Sequence, residues 1–282
     1  MIKFEHTLFA LPFALISAVL AAGRLGRPHS LPAGSTLGWI LLAMIGARSA
    51  AMAFNRIVDA RYDAANPRTV ARAIPAGALT VRQVGAFTAG AVALFLYAAY
   101  RLNPLCMALS PLALAAVLGY SYTKRFTSLS HLALGFAIGI APIGAWLAVT
   151  GHFAPEPLLL GAAVMLWIGG FDVIYALQDV DFDHRAGLHS LPRAIGMGPA
   201  LLVSRLVHVA MLGLLAVVGV LAGLHTIYFA GLVAVAALIA YEHALVSPGD
   251  LSRLNVAFFT LNGWVSVSLL VFVVLDRWMT PR

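Results

Sequence analysis

Hydrophobic residues in this chain run in blocks rather than stripes. Nine stretches, at roughly 7–25, 36–57, 82–101, 104–121, 129–150, 157–178, 198–222, 226–246 and 255–276, are apolar on nearly every helical face. Each is about 18–25 residues, the length a helix needs to cross the hydrocarbon core of a bilayer. Short segments with Pro or Gly divide them, including Pro28 and Pro32, Asn103-Pro104, Pro155 and Pro157, and Pro248-Gly249. No composition shift marks a second unit. The pattern predicts an all-α, polytopic membrane protein of about nine spans, one integral-membrane domain over residues 1–282. The first apolar run, Phe9 to Gly23, has the length of a signal-peptide core. It lacks a basic segment followed by a small-residue cleavage site, so it is expected to be the first span.

Composition agrees. Of 282 residues, 61% are hydrophobic and only 10% charged, against about 25% charged in soluble domains. Most of the surface is therefore expected to face lipid. The net charge of +7 is not accompanied by a basic helix or by basic residues interleaved with aromatics, which argues against nucleic acid. Counted by loop, the basic residues set an orientation. With the N-terminus cytoplasmic, the inner segments hold Lys3, Arg56, Arg61, Arg68, Arg72, Arg82, Lys124, Arg125, Arg185, Arg193, Arg205 and Arg253. The outer side holds only Arg24, Arg27, Arg101, Arg277 and Arg282. The positive-inside rule favours that orientation with an odd number of spans. The single Cys106 has no partner for an internal disulfide and leaves the redox compartment open.

Acidic residues change the picture most. The chain has eleven, and six stand in two places: Asp59 and Asp63 after the second block, and Asp172, Asp179, Asp181 and Asp183 at the end of the sixth. On a helix advancing about 100° per residue, Asp172, Asp179 and Asp183 lie within roughly 40° of one another. Asp181 points the opposite way. Asn55, Asp59 and Asp63 span about 80° of one face by the same count. Like-charged carboxylates at a membrane boundary are tolerable only with cations among them. Hard oxygen ligands at this spacing suit Mg²⁺, which takes one or two carboxylates together with phosphate oxygens and waters. Two such faces opposed across a cavity can hold magnesium ions around a diphosphate. For either motif alone, an ordinary solvated helix end is an equal reading; the two together on one side of so acid-poor a chain favour the metal. Asp59 to Asp179 and Asp63 to Asp183 are both 120 residues apart, a faint sign of internal duplication.

Basic partners lie between the motifs. One loop reads Asn66-Pro67-Arg68-Thr69-Val70-Ala71-Arg72-Ala73-Ile74-Pro75-Ala76-Gly77; another reads Gly119-Tyr120-Ser121-Tyr122-Thr123-Lys124-Arg125-Phe126. Guanidinium groups grip phosphate oxygens in pairs, while Lys acts as a point charge. Topology signalling is the plainer reading for any one of these arginines. Arg48 is different, because it lies about two turns inside a span and needs a partner or a polar cavity. It is expected to pair with an acidic motif or to reach diphosphate.

At these residues the chain resembles the UbiA superfamily of intramembrane aromatic prenyltransferases, most of all the bacterial 4-hydroxybenzoate polyprenyltransferases. The likeness covers nearly the whole chain. The family's first motif, Asn-Asp-x-x-Asp-x-x-x-Asp, is matched by Asn55 to Asp63, with Arg56 in place of an acid. Its second motif is matched by Asp172, Asp179 and Asp183, and its Tyr-x-x-x-Lys by Tyr120 and Lys124. The opening Lys3 to Phe13 resembles a subgroup thought to act on a naphthoate precursor of menaquinone.

The resemblance implies a helical bundle around a central cavity open to the cytoplasmic side and to lipid, in the bacterial inner membrane. It implies transfer of a polyprenyl group from polyprenyl diphosphate to an aromatic acid acceptor, with Mg²⁺ as cofactor and no obligatory protein partner. Asn55, Asp59, Asp63, Asp172, Asp179 and Asp183 would bind metal, with Asp59, Asp172 and Asp179 central to catalysis. Arg68, Arg72 and Lys124 would hold diphosphate. Arg125, Tyr120 and Arg48 would meet the acceptor, and Asp172 or the released diphosphate would take the ring proton. Phe9, Phe13, Phe54 and Tyr122 are candidates to line the cavity and shield a cation, although helix packing is the commoner use of each. His6, His184 and His189 have no identified partner and are read as incidental.

Other classes remain open on the residues alone. A secondary transporter also places acids in membranes and uses repeats, but near the bilayer midplane. A different membrane diphosphate-dependent transferase is a second alternative. The Asp-Gly-x-x-Ala-Arg signature of CDP-alcohol phosphotransferases is absent, and an intramembrane aspartyl protease would want its aspartates deep within spans.

Overall fold

The computed structural model describes residues 7–27 and 31–280. Lys3, His6 and Arg282, used above for orientation or set aside as incidental, lie outside the described residues. Among the described residues there is no strand, only an isolated bridge between Ser247 and Asp250. The long helices are α1 (Thr7–Arg24), α2 (Gly34–Val58), α4 (Val81–Leu102), α5 (Pro104–Thr123), α6 (Ser130–Thr150), α7 (Pro155–Ala176), α10 (Met197–Leu221), α11 (Thr226–Ala244) and α12 (Asn262–Met279). Among the described residues eight helices are long and apolar enough to cross a membrane; the segment Phe9–Arg24 of α1 is apolar but shorter. The expected ninth span is thus present as a helix, below full crossing length in the described residues. Three short helices were not anticipated: α3 (Ala60–Ala65), α8 (Val180–Ala186) and α9 (Leu191–Ile195).

Local chemistry sets the helix ends. Thr80 and Gln83 form a reciprocal capping box at the start of α4, which satisfies two otherwise orphaned backbone groups. Asn103 accepts from the Cys106 amide at 2.9 Å and Pro104 occupies the first position of α5, where its missing N–H costs nothing. Gly151 ends α6 in the left-handed region at φ 75°, a conformation that favours glycine.

The spans pack as two groups joined through α6. Helix α2 lies along α4, with α5 touching both; α6 lies along α7, which packs on α10; α1 lies on α6 and α12; and α11 lies on α12. The centre is aromatic. Phe9 and Phe13 of α1 meet Trp167 and Phe171 of α7, with ring centroids 5.0–6.1 Å apart. Met211, Leu215, Tyr228, Val265 and Leu269 close the same cluster. Phe9 and Phe13 therefore belong to the packed core rather than to a cavity wall, because α1 turns that face toward α7.

Several buried polar groups are tied across helices, as a low-dielectric interior favours. Ser17 donates to the Pro142 carbonyl at 2.6 Å. The Trp167 indole donates to Asn262 Oδ1 at 2.7 Å, and the Asn262 amide donates to Glu242 at 2.8 Å. Asn262 sits just after a π-helical turn, Val256–Leu261, and its amide also reaches the carbonyls of Ala257 and Phe258 at 3.1 and 3.3 Å.

Helices α6 and α7 approach backbone to backbone. A Cβ on Gly139 would stand 2.5 Å from the Gly161 carbonyl oxygen, and one on Gly161 would stand 2.7 Å from the Gly139 oxygen. Small residues at such a seam let membrane helices close on one another. Gly144, on the same helix, has open space where its Cβ would go. Gly139→Ala is expected to destabilise the protein by about 1–3 kcal/mol through forced separation of the helices. Gly144→Ala is expected to be neutral or slightly stabilising. Thermal unfolding of the two variants in one detergent checks the contrast; equal behaviour would discount the seam.

Candidate active site

The two acidic motifs occupy matching local structures. Helix α2 stops at Val58, Asp59 takes φ −91°, ψ 2°, and α3 carries Asp63. Helix α7 stops at Ala176, a 3₁₀ turn covers Leu177–Asp179, and α8 carries Asp183. Each long helix thus ends in an aspartate hinge followed by a short helix with a buried aspartate. The 120-residue spacing in the sequence corresponds to this shared shape. The second motif is not the continuous α-helix assumed from its spacing. Even so, Asp179 and Asp183 are buried while Asp181 is exposed, as the facing argument required.

Both ends open on one chamber of about 240 Å³. Asn55, Asp59, Asp63, Asp172 and Asp179 line it together with Arg68, Arg72, Lys124, Arg125 and Tyr120. Of the residues singled out in the sequence, Asp183 and Arg48 are not in the lining. Asp183 is fully buried behind the wall. Arg48 sits seven residues before Asn55 on α2, about 10 Å along the axis at 1.5 Å per residue, and that rise carries it out of the chamber. Its expected role at the acceptor therefore has no geometric support. The aromatic wall also differs from expectation. It comprises Tyr62, Tyr120, Tyr175 and Phe182, whereas Phe54 and Tyr122 pack edge to face at 6.0 Å outside the lining.

Carboxylates and cations alternate around the chamber. Arg68 grips Asp179 with two bonds, Nε to Oδ1 at 3.0 Å and Nη2 to Oδ2 at 2.6 Å. This fork geometry is the strong form of an ion pair. The loop itself aims Arg68: Asn66 Oδ1 accepts the Arg68 amide at 2.9 Å, an Asx turn across Pro67. The Arg68 guanidinium also lies over the Tyr175 ring, 5.4 Å from its centroid, and donates to its hydroxyl at 3.3 Å. Phe258, from the π-helical turn, stacks on the other partner of this contact, with the Tyr175 and Phe258 centroids 4.0 Å apart and planes 29° apart.

Arg72 pairs with Asp63 at 2.6 Å, and the Asn55 amide donates to Asp59 at 2.9 Å. Arg125 donates to the Val58 carbonyl at 2.6 Å, stands 3.8 Å from Asp59, and is flanked by the rings of Tyr62 and Tyr122. Burial, with the like charge of Asp63 beside it, pushes the Asp59 carboxyl above its usual range; the Asn55 amide and the Arg125 guanidinium pull the other way. Lys124 Nζ stands 3.0 Å from Asp183 Oδ1. That contact is an ion pair without hydrogen-bond alignment, so neither Asp183 oxygen accepts a directed bond.

Asn66 and His131 are among the chamber residues that the sequence does not single out. Asn66, buried, donates to Asp179 at 3.4 Å. His131, buried on α6, lies with Nδ1 2.7 Å from Asp172 Oδ2. The only signal for His131 was a polar Ser130-His131 pair at the mouth of an otherwise apolar span. His184 and His189, read as incidental, are absent from the lining.

The donor set fits a hard divalent cation. Its atoms are carboxylate and amide oxygens, and Asp63 Oδ2 and both Asp183 oxygens are buried without a hydrogen-bond donor. Among the described residues no three His, Cys, Asp or Glu side chains converge on one point. Magnesium needs no such cage, because it usually takes one or two carboxylates and completes its shell with waters and substrate phosphates.

Relatives share this architecture. A profile of the UbiA prenyltransferase family matches residues 10–264. A 4-hydroxybenzoate octaprenyltransferase from Nitrosospira multiformis is 31% identical over 240 residues, 85% of this chain and 80% of that protein. The solved structure of a UbiA homologue from Aeropyrum pernix superposes with TM-score 0.87 at 33% identity, over 98% of this chain and 99% of that one. A UbiA homologue from Archaeoglobus fulgidus, solved with DMAPP and Mg²⁺, shares the fold at TM-score 0.68 and 15% identity, over 98% and 99% of the two chains. By fold, by chamber and by sequence, this chain belongs to the UbiA prenyltransferase family and is a membrane-embedded prenyltransferase.

Proposed function

We infer that the chain forms one integral-membrane domain over residues 1–282. It transfers a polyprenyl group from polyprenyl diphosphate to an aromatic acid, 4-hydroxybenzoate or a related dihydroxynaphthoate, on the route to ubiquinone or menaquinone. The observation that carries this reading is the single chamber in which carboxylates of both motifs alternate with Arg68, Arg72 and Lys124. A transporter has no evident use for three cations interleaved with acids at helix ends. The excess of Lys and Arg on the chamber side supports a cytoplasmic opening in a bacterial inner membrane.

Mg²⁺, when bound, supplies Lewis-acid stabilisation of the charge that grows on the leaving diphosphate. Asp59, Asp63, Asp172 and Asp179, with Asn55, are the residues to hold it, and Asp183 backs them from behind the wall. Arg68, Arg72 and Lys124 exchange their carboxylate partners for phosphate oxygens, which keeps each cation paired in both states. Their preorganised positive charge stabilises the diphosphate as the allylic C–O bond breaks and its electron pair leaves with oxygen. The rings of Tyr62, Tyr120 and Tyr175 line the chamber beside the resulting carbocation. An electron-rich ring carbon ortho to the phenolic hydroxyl of the acceptor attacks the cation. Asp172 or the released diphosphate takes the ring proton, and aromaticity returns. Arg125, a chamber residue whose guanidinium lies over the Tyr62 and Tyr122 rings, meets the acceptor carboxylate in this reading.

Purified protein given a polyprenyl diphosphate with 4-hydroxybenzoate, and in parallel with 1,4-dihydroxy-6-naphthoate, is expected to prenylate one of them. The product should disappear with EDTA and return with excess Mg²⁺. Chelator-insensitive product, or movement of a solute with no product, would overturn the reading. Arg68→Lys keeps the charge but loses the fork, and is expected to lower kcat/KM by about a hundredfold. Steady-state kinetics on the folded variant measure it.

A further inference from the structure

Among the described residues, Asp172 is the one chamber aspartate met by an imidazole. His131 is at the second position of α6, with its side chain 6% exposed, and its Nδ1 is 2.7 Å from Asp172 Oδ2 on α7. Its other nitrogen is also engaged. The backbone amide of Leu191, the first residue of α9, donates to Nε2 at 3.3 Å. An amide N–H can only donate, so Nε2 must be the accepting nitrogen, and in a neutral imidazole the proton then sits on Nδ1. The tautomer is set by that contact. Nδ1–H accordingly points at the carboxylate and donates to it.

We propose that His131 is a positioning residue for Asp172: it fixes the rotation of that carboxylate so that Oδ2 is committed and Oδ1 is presented to the chamber. Among the described residues nothing donates to Oδ1. The bracket extends further. The segment that leads from α8 into Leu191 also donates the His189 amide to the Lys124 carbonyl at 2.7 Å. One short strap thereby holds Lys124 by its backbone and Asp172 through His131, so that a cation for phosphate and a carboxylate for metal or proton keep a fixed spacing. Carboxylates that ligate metal are commonly oriented by such donors, and loss of one costs about 10- to 100-fold in metal affinity or activity. This inference rests on the prenyl-transfer reading above.

The test uses the full chain in detergent and substitutions that separate the two nitrogens. Asn places an amide N–H where Nδ1 was, and Gln places one where Nε2 was. Mn²⁺ binding, measured by electron paramagnetic resonance with inorganic pyrophosphate present, reports the site without turnover. His131→Asn is expected to bind within about threefold of the parent, while His131→Gln and His131→Phe bind at least about tenfold more weakly. The same two variants should lose kcat more than they raise KM. A merely space-filling role predicts the reverse order, because Gln fills the pocket better than Asn, and that order overturns the proposal. Equal Mn²⁺ binding by all three variants also overturns it while leaving the prenyl-transfer reading intact. Failure of the parent protein itself to bind Mn²⁺ with pyrophosphate sinks both. Should His131→Gln and His131→Phe not fold, ¹⁵N-histidine spectra of the parent decide, with the signal missing from His131→Asn as the assignment. A protonated Nδ1 and a bare Nε2 support the role, and a proton on Nε2 refutes it.

Discussion

Carboxylates gathered at a membrane boundary must be neutralised where they stand, and this requirement organises the molecule. Two like charges about 4 Å apart repel by roughly 4 kcal/mol at the effective dielectric of a protein surface. Here each motif aspartate is met by its own partner: Asp179 by Arg68, Asp63 by Arg72, Asp59 by Asn55 and Asp172 by His131 through hydrogen bonds, and Asp183 by the charge of Lys124 alone. Several donors come from distant parts of the chain; Arg68 and Asp179 are 111 residues apart. The pairs that make the acids tolerable are therefore also the ties that bring two separate helix ends to one chamber. Loss of one cation leaves a buried charge uncompensated, which costs several kcal/mol more than the pair itself contributes.

Those ties need a rigid base. It comes from the half of the bundle that carries no motif charge except on α7. The α6–α7 seam, closed by Gly139 and Gly161, fixes how far His131 stands from Asp172. The aromatic cluster around Trp167 and Phe171 fixes the rotation of α7 one turn below that aspartate. The Trp167–Asn262–Glu242 chain adds direction to packing that is otherwise non-directional. Dispersion and area burial alone would allow α7 to slide or turn; the hydrogen-bonded indole does not.

The spans were legible because crossing a bilayer sets a length, and among the described residues eight of the nine apolar blocks meet it. The acidic motifs were legible because charge is so scarce that six aspartates in two places stand out. What could not be read was rotation. A helix that is apolar all round gives no stripe to say which face meets its neighbour, so the sequence leaves Phe9 and Phe13 open between packing, the commoner use, and a cavity that they do not line, and gives no sign of Tyr62 or Phe182, which do line it. Arg48 stands out in the sequence by its charge, and its height on α2 leaves it outside the chamber lining. His131 was invisible for a related reason. Its meaning depends on Asp172 across the seam and on a backbone amide 60 residues away, and neither leaves a mark in spacing.

The π-helical turn before α12 has an effect that reaches beyond its own backbone. By widening the coil at Val256–Leu261 it carries Phe258 sideways onto Tyr175, and Tyr175 in turn touches Arg68. A stretch with no ionisable side chain therefore helps decide how firmly the principal guanidinium is held. Deleting a single residue there would rewind the coil, withdraw the phenyl ring and loosen the Arg68–Asp179 fork although neither of its residues had changed.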